Sequence, residues 1–497
     1  MVWLTQMFGN SLTRVWWTPS VTGIPGTVVR KPMSPRSLAT AMTCALAIAF
    51  VSIPSAAAEE PSGPRHIEGT VDDGATAWVA DVPADWNGTV LLYGHGYRPS
   101  FFPIPPTPEN APDDATRQAL LDRGYALVGS SYERGGWTLD TAAEDQLQTL
   151  DAFRAAVGEP SRVLAVGTSM GGLVTGQLAE MPGAPIDGAL PTCGLMHGGV
   201  DLLNYQLDGA HAIAQLLVPE GSDVRLADYG GDLAAVNAAA STLTDAVVAA
   251  QDDPAGRARI ALAAALYHLP RWAEGQPAPD PRDYQAQVDA QIAQFTVALG
   301  FTYPARVDIE TTVGGNPSWN AGVDYRALLQ HADERAQVVA LYRAAGLDLR
   351  ADLARLTETA SVTPDEDALR TAYATSELTG DLQVPVLSLH TTHDVLAPVQ
   401  VEEEYAETVR HAGAGGLLRQ AFVQRLGHCA FTPAELVASV EALDERVATG
   451  RWGSAAHPRK LDAAAEALGL GESEILPRYR PAEWLGDRGG LFGRPRF

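Results

Sequence analysis

Ser169 is the residue whose surroundings most clearly suggest chemistry. It stands in Gly167-Thr168-Ser169-Met170-Gly171, a G-x-S-x-G pattern. An apolar run, residues 162–166 (RVLAV), precedes it, and a helical pattern opens at Met170. A sharp strand-to-helix turn exposes a serine hydroxyl, and glycines on both sides relieve the crowding this creates. The helix N-terminus then points its partial positive charge at any oxyanion formed there.

A serine hydroxyl is a weak nucleophile until a base removes its proton. Of the 11 histidines, His428 follows the last apolar strand pattern, in Arg425-Leu426-Gly427-His428-Cys429. A loop there can swing a histidine back over a sheet. Asp394, in His393-Asp394-Val395-Leu396-Ala397-Pro398, follows the strand before that one. The order Ser…Asp…His is therefore met, each member at the C-terminal edge of a strand. Asp381 is a rival acid but precedes its strand.

The elements that must hold these residues alternate. Strands are expected at residues 65–71, 76–82, 88–93, 125–130, 162–166, 186–190, 384–389 and 418–423, the first two joined by a turn at Asp72-Asp73-Gly74. Helices are expected at 113–123, at 141–157 and after Met170. Alternation of this kind implies an α/β fold, a mostly parallel eight-stranded sheet covered on both faces. About 190 residues between strands 6 and 7 are too many for a loop. Amphipathic patterns at 235–250, 257–267, 284–299 and 325–345 make this block a large helical cap. The expected organisation is a sheet domain in two parts, 59–194 and 383–452, a cap at 195–382, and a tail at 453–497 lying on the surface with one short helix at 461–468.

Residues 1–58 read as a leader. They hold Arg14, Arg30, Lys31 and Arg36 and no acid, then an apolar run at 38–53 and Ala56-Ala57-Ala58 as a cleavage site. An uncleaved membrane anchor is the alternative, and Met33 is a candidate true start. The expectation is a secreted protein with no stable membrane anchor after cleavage. Removing the four basic residues of the leader takes the net charge from −25 to −29. With 60 acidic residues against 35 basic ones, binding to nucleic acid through a basic surface is excluded. Two of the three cysteines, Cys193 and Cys429, lie beyond the leader. In an oxidising compartment one such pair reads as one disulfide, and two buried thiols are the alternative.

On the motif around Ser169, Asp394 and His428, the chain resembles the α/β-hydrolase superfamily over about residues 64–194 and 383–450. The resemblance implies a serine hydrolase working through an acyl-enzyme: Ser169 attacks a carbonyl, His428 moves the proton, and Asp394 orients the imidazole. It implies no cofactor. It places the oxyanion hole at the backbone N–H groups of Met170 and, in the loop Gly94-His95-Gly96-Tyr97, of Tyr97, with His95 bracing that loop. The His428-Cys429 pair also resembles secreted tannases and feruloyl esterases, in which a disulfide joins residues flanking the catalytic serine and histidine. Here Thr168, not a cysteine, precedes Ser169.

The Pro-rich loop at 97–108 offers Phe101 and Phe102 to a substrate. Trp137, Trp319 and Tyr325 are further candidates for pocket lining. His390-x-x-His393-Asp394 lacks the additional ligands a metal site requires, so no metal is expected. The substrate is then a small molecule. A carboxylic ester is the first reading. An amide or an N-terminal amino acid is the alternative, with Asp308 and Glu310 as candidates to hold an amino group, and a non-catalytic binding protein is the third.

Overall fold

The chain divides into two units, Met1–Ser62 and Gly63–Phe497. The computed structural model describes residues 63–101, 107–273 and 275–485. The leader expected over residues 1–58, and Phe102, lie outside the described residues.

Eight strands form one sheet: β1 (Arg65–Val71), β2 (Thr76–Val82), β3 (Thr89–Gly94), β4 (Ala126–Ser130), β5 (Arg162–Thr168), β6 (Gly188–Thr192), β7 (Val386–His393) and β8 (Leu418–Leu426). Their order is β1-β2-β4-β3-β5-β6-β7-β8. β2 runs antiparallel to β1 and β4, and the pairings from β4 through β8 are parallel. Side chains alternate between two buried faces. Leu91, Tyr93, Leu164 and Val166 point into one core, and Val90, Leu92, Val163 and Ala165 into the other. Burial on both sides explains why these strands read as continuous apolar runs.

Two strands, β6 and β7, start two residues later than their sequence suggests. Pro385 has no N–H, so β7 begins after it. Pro191 lies inside β6, and the β6–β7 register consists of Ala189↔Val386 and Thr192↔Leu389.

Three helices serve the first half of the sheet: α1 (Asp114–Leu121), α2 (Ala142–Val157) and α3 (Met170–Glu180). Eight more stand between β6 and β7: α4 (Gly198–Leu216), α5 (Leu233–Ala250), α6 (Pro254–Leu266), α7 (Tyr284–Val313), α8 (Tyr325–His331), α9 (Arg335–Ala345), α10 (Leu349–Thr359) and α11 (Glu366–Ser376). The helix expected at 325–345 is broken, because Ala332 is extended. The helix expected at 284–299 continues through Pro304 to Val313. Aspartates at 232, 253, 283, 324, 348 and 365 each cap a helix of this insertion, accepting from backbone N–H groups of its first turn. Part of the acidic excess therefore has a local structural use. The insertion shares one core with α3, since Leu173 and Val174 pack in the same apolar cluster as Leu203, Leu262 and Phe295.

The chain closes with α12 (Val401–His411), α13 (Pro433–Thr449) and α14 (Pro458–Leu468). The tail does more than lie on the surface. Leu476 N–H donates to Phe422 O at 2.8 Å and Gln424 N–H to Glu474 O at 2.9 Å, so the tail covers the open edge of β8. Beyond that, Trp484 is buried and stacks on His268 at 4.7 Å and 3°.

Leu485 N–H donates to His268 Nε2 at 3.4 Å, which fixes His268 as the neutral form. Burial pushes this imidazole from 6.5 down to about 3. The folded state therefore refuses a proton that the unfolded chain takes up near 6.5. This contribution is fully present above that pH and is lost as pH falls toward 3. At pH 5 the loss is about 2 kcal/mol. Urea unfolding at pH 7 and pH 5 should show a larger drop for the wild type than for His268→Phe. Equal drops would refute this account.

Candidate active site

Ser169 sits on the turn between β5 and α3 with φ 59° and ψ −120°. That is a strained conformation for a residue with a Cβ. Its N–H is held by Thr192 O at 3.0 Å. The flanking glycines are a steric requirement. A Cβ on Gly167 would lie 2.0 Å from Gly171 O, and one on Gly171 would lie 2.1 Å from Gly94 O. The turn is thus compressed against the loop that follows β3.

Ser169, His428 and Asp394 form one hydrogen-bonded line. His428 Nε2 lies 2.7 Å from Ser169 Oγ, and His428 Nδ1 lies 2.8 Å from Asp394 Oδ2. An ionised carboxylate only accepts, so Nδ1 carries the proton and Nε2 offers its lone pair to the serine hydroxyl. Asp394 is buried. Its Oδ1 accepts from the N–H groups of Leu396 and Ala397, both at 2.9 Å. Asp381, the rival acid, is exposed and lies before β7.

The histidine loop is tied down on two sides. Gly427 N–H donates to His393 O at 3.0 Å, and Thr391 Oγ1 donates to Gly427 O at 2.8 Å. Cys193 and Cys429 form a disulfide with Cα atoms 5.2 Å apart. Cys193 follows β6, the strand paired with β5, and Thr168 and Thr192 are register partners. The bond therefore reaches the nucleophile's surroundings from the neighbouring strand rather than from the residue before Ser169.

Met170 is the first residue of α3, so its N–H belongs to the turn that has no intrahelical acceptor. The loop at 94–97 passes directly over the nucleophile, since a Cβ on Gly96 would lie 3.3 Å from Ser169 Cβ. His95 braces this loop: Nδ1 donates to Gly96 O at 2.7 Å, and Tyr132 Oη donates to His95 O at 3.1 Å. Burial, assisted by the nearby charge of Arg98, pushes the His95 imidazole down to about 3.

The loop is also bolted to the insertion. Asp308 on α7 accepts from Tyr97 Oη at 2.5 Å, Ser100 N–H at 2.9 Å and Ser100 Oγ at 2.5 Å. Burial and the charge of Asp308 raise the Tyr97 phenol well above its ordinary range, so it stays a donor. Asp308 is thus committed to protein donors. Glu310 accepts from Asp228 N–H and Tyr229 N–H at 2.9 and 2.6 Å and pairs with the buried Arg306. Neither carboxylate is left to hold a substrate amino group, which corrects that expectation.

The aromatic candidates divide. Phe101 is half-buried in the loop beyond Tyr97, and Tyr97 meets Phe301 edge-on at 6.0 Å. Trp137 and Trp319 are each 3% exposed. Trp137 packs against Gly199, and Trp319 packs with Val200 and Val313, so they are core residues here rather than an open lining. Tyr325 is buried and donates to Asp208. His390 and His393 do not converge: His390 faces Glu402, and His393 faces Thr392 and Trp272. Among the described residues, the group with metal-ligand spacing is Cys193, His428 and Cys429, and its two sulfurs are bonded to each other.

No family model matches the chain. A curated relative, the o-phthalyl amidase of Xanthobacter agilis, is 30% identical over 451 residues, which is 83% of this chain and 95% of the relative. The chain belongs to that amidase's family, and it is an α/β-hydrolase. Solved structures are more distant. An esterase from Aspergillus oryzae is 14% identical, with a TM-score of 0.39 and coverage of 78% of this chain and 80% of that one. An esterase from Pyrococcus furiosus is 11% identical, with a TM-score of 0.34 and coverage of 78% and 92%.

Two features of this hydrolase's site have roles the sequence did not signal. One is the carboxylate of Asp308, a candidate to hold an amino group, which instead reaches the Tyr97 loop across more than 200 residues. The other is Glu402, buried at the start of α12 within a run of three glutamates. Such a run ordinarily marks a solvated first turn.

Proposed function

We propose that Ser169, His428 and Asp394 are the triad of a serine hydrolase that cleaves a carboxylic amide or ester through an acyl-enzyme. The observation that carries this is the unbroken line from Asp394 Oδ2 through His428 to Ser169 Oγ. His428 accepts the serine proton as Oγ attacks the carbonyl carbon. The oxyanion is held by the N–H groups of Met170 and Tyr97. His428 returns the proton to the departing amine or alcohol. A water molecule, deprotonated by His428, then releases the acid.

Two substrate classes suit this chemistry. An amide of an aromatic acid is the stronger reading, because the curated relative is an amidase and the match spans nearly all of that protein. An ester is the second reading, in keeping with the half-buried aromatic residues Tyr97 and Phe101 on the loop that follows β3. An aminopeptidase is less favoured, because its two candidate carboxylates, Asp308 and Glu310, already accept from protein donors. Export with cleavage after Ala58 completes the proposal.

A matched panel separates the readings: phthalyl, benzoyl and acetyl groups, each as an anilide and as an aryl ester. We expect turnover of at least one aromatic-acyl anilide, lost in Ser169→Ala. Turnover of esters alone would overturn the amide reading and leave the esterase one.

A further inference from the structure

A second acid–base pair lies behind Asp394. His390, on β7, is fully buried. Its Nε2 is 2.9 Å from the carbonyl oxygen of Ala397, and its Nδ1 is 3.2 Å from Oε1 of Glu402 on α12. Glu402 is itself fully buried. Its Oε1 also accepts from Ser388 Oγ at 2.7 Å, and its Oε2 accepts from Gln420 Nε2 at 2.7 Å. Both ring nitrogens of His390 therefore face acceptors. A neutral imidazole would turn one lone pair toward an oxygen lone pair, whereas an imidazolium donates to both. Burial alone would lower the proton affinity of this ring. The hydrogen bond and charge of Glu402, then Asp394 and the Ala397 carbonyl, outweigh it and raise that affinity.

The same Nε2 is 3.9 Å from Asp394 Oδ2, the oxygen that accepts from His428. Ala397 links the two groups, its carbonyl accepting from His390 and its N–H donating to Asp394 Oδ1.

We propose that His390 is a positioning residue for the triad: held as an imidazolium by Glu402, it sets the charge behind Asp394 and fixes the loop that carries it. The proposal rests on the triad reading of Ser169, Asp394 and His428. The ring faces Glu402 on α12 and Asp394 and Ala397 on the loop. Glu402 in turn meets Ser388 on β7, Gln420 on β8 and, on its own helix, the charge-sensitive Tyr405, which also feels Glu180 on α3. Tyr205 on α4 closes the loop from the insertion side by donating to Leu396 O at 3.2 Å. The two tyrosines are buried and raised well above their ordinary range, so they stay neutral. The charges are thus one cation between two carboxylates. Without that cation, His428 would face an excess of negative charge and hold its proton more tightly, so it would be a usable base only at higher pH.

Two measurements test this. In 15N-histidine NMR of the wild-type protein, assigned by difference from His390→Gln, both His390 ring nitrogens should carry protons at pH 8. A neutral tautomer would overturn the proposal. In His390→Gln, the acid limb of the kcat/KM profile should move up by roughly one pH unit. Glu402→Gln, which frees the ring to become neutral, should move it in the same direction by less. A folded His390→Gln protein with an unmoved acid limb also overturns the proposal. Ser169→Ala is the control. If that variant stays active, the triad reading itself fails. If it is inactive while the His390→Gln profile matches the wild type, the positioning role alone fails.

Discussion

Replacing Ser169 with alanine should lower kcat/KM by about 10⁴- to 10⁶-fold while leaving KM within a few-fold. The serine Oγ is the atom that would bond to the substrate, and nothing near it can substitute. The residual rate would come from the oxyanion donors and from binding, neither of which needs the hydroxyl. The substitution should not unfold the protein. An alanine at this position must adopt the same φ of 59°, so the backbone strain is unchanged. The hydrogen bond lost is one at a half-exposed position. A Tm equal to or slightly above the wild type, beside a collapse of turnover, is the signature of a residue strained for chemistry. Steady-state kinetics and a thermal melt on one preparation check both halves.

The second large effect is expected from the disulfide. Cys193 and Cys429 are 236 residues apart in the chain, and both hold positive φ, 43° and 56°. Breaking the bond frees the unfolded chain from a long closed loop, worth up to about 5 kcal/mol on the chain-entropy argument. For a chain of this size that corresponds to a fall in Tm of about 5 °C. Activity should fall further than stability explains, because His428 is the residue next to Cys429. With the bond gone, two residues lose the constraint that keeps them in left-handed conformations, and the 2.7 Å approach of His428 to Ser169 loses its support. We expect at least a tenfold loss of kcat in Cys429→Ala at a temperature where the protein remains folded, and the same loss on reduction of the wild type. Full activity after complete reduction would show that the Gly427 hydrogen bonds hold the loop unaided.

The hydrogen-bonded line of Ser169, His428 and Asp394 was legible because its signals are local. A short apolar strand, a G-x-S-x-G turn and a helix start fall within a dozen residues of Ser169. Asp394 and His428 each come within five residues of the end of an apolar run. The insertion was harder to read because its helices are packed on several sides. Nearly every residue of Gly198–Leu216 is buried, so no one-sided stripe marks it. Burial alone does not divide helix from strand. Leu349–Thr359 and Glu366–Ser376 were missed for a different reason: they are short and largely polar outside a few core positions. The links from Asp308 to Tyr97 and from Glu402 to His390 depend on tertiary contacts, and a carboxylate in sequence looks the same whether it is solvated or buried.

The insertion helps to hold the site's loops in place. Asp308 fixes the loop that would supply one oxyanion donor, and Tyr205 fixes the loop that carries Asp394. Loosening α4 or α7 should therefore change turnover and not only substrate choice.

Ser169 is the proposed nucleophile of this α/β-hydrolase. The most direct measurement is labelling of the folded wild-type protein with a fluorophosphonate, followed by mass spectrometry of its peptides. One modification is expected, on the peptide containing Ser169, with matching loss of activity and no labelling of Ser169→Ala. Labelling at another serine, or loss-free activity after Ser169 is fully modified, would contradict it.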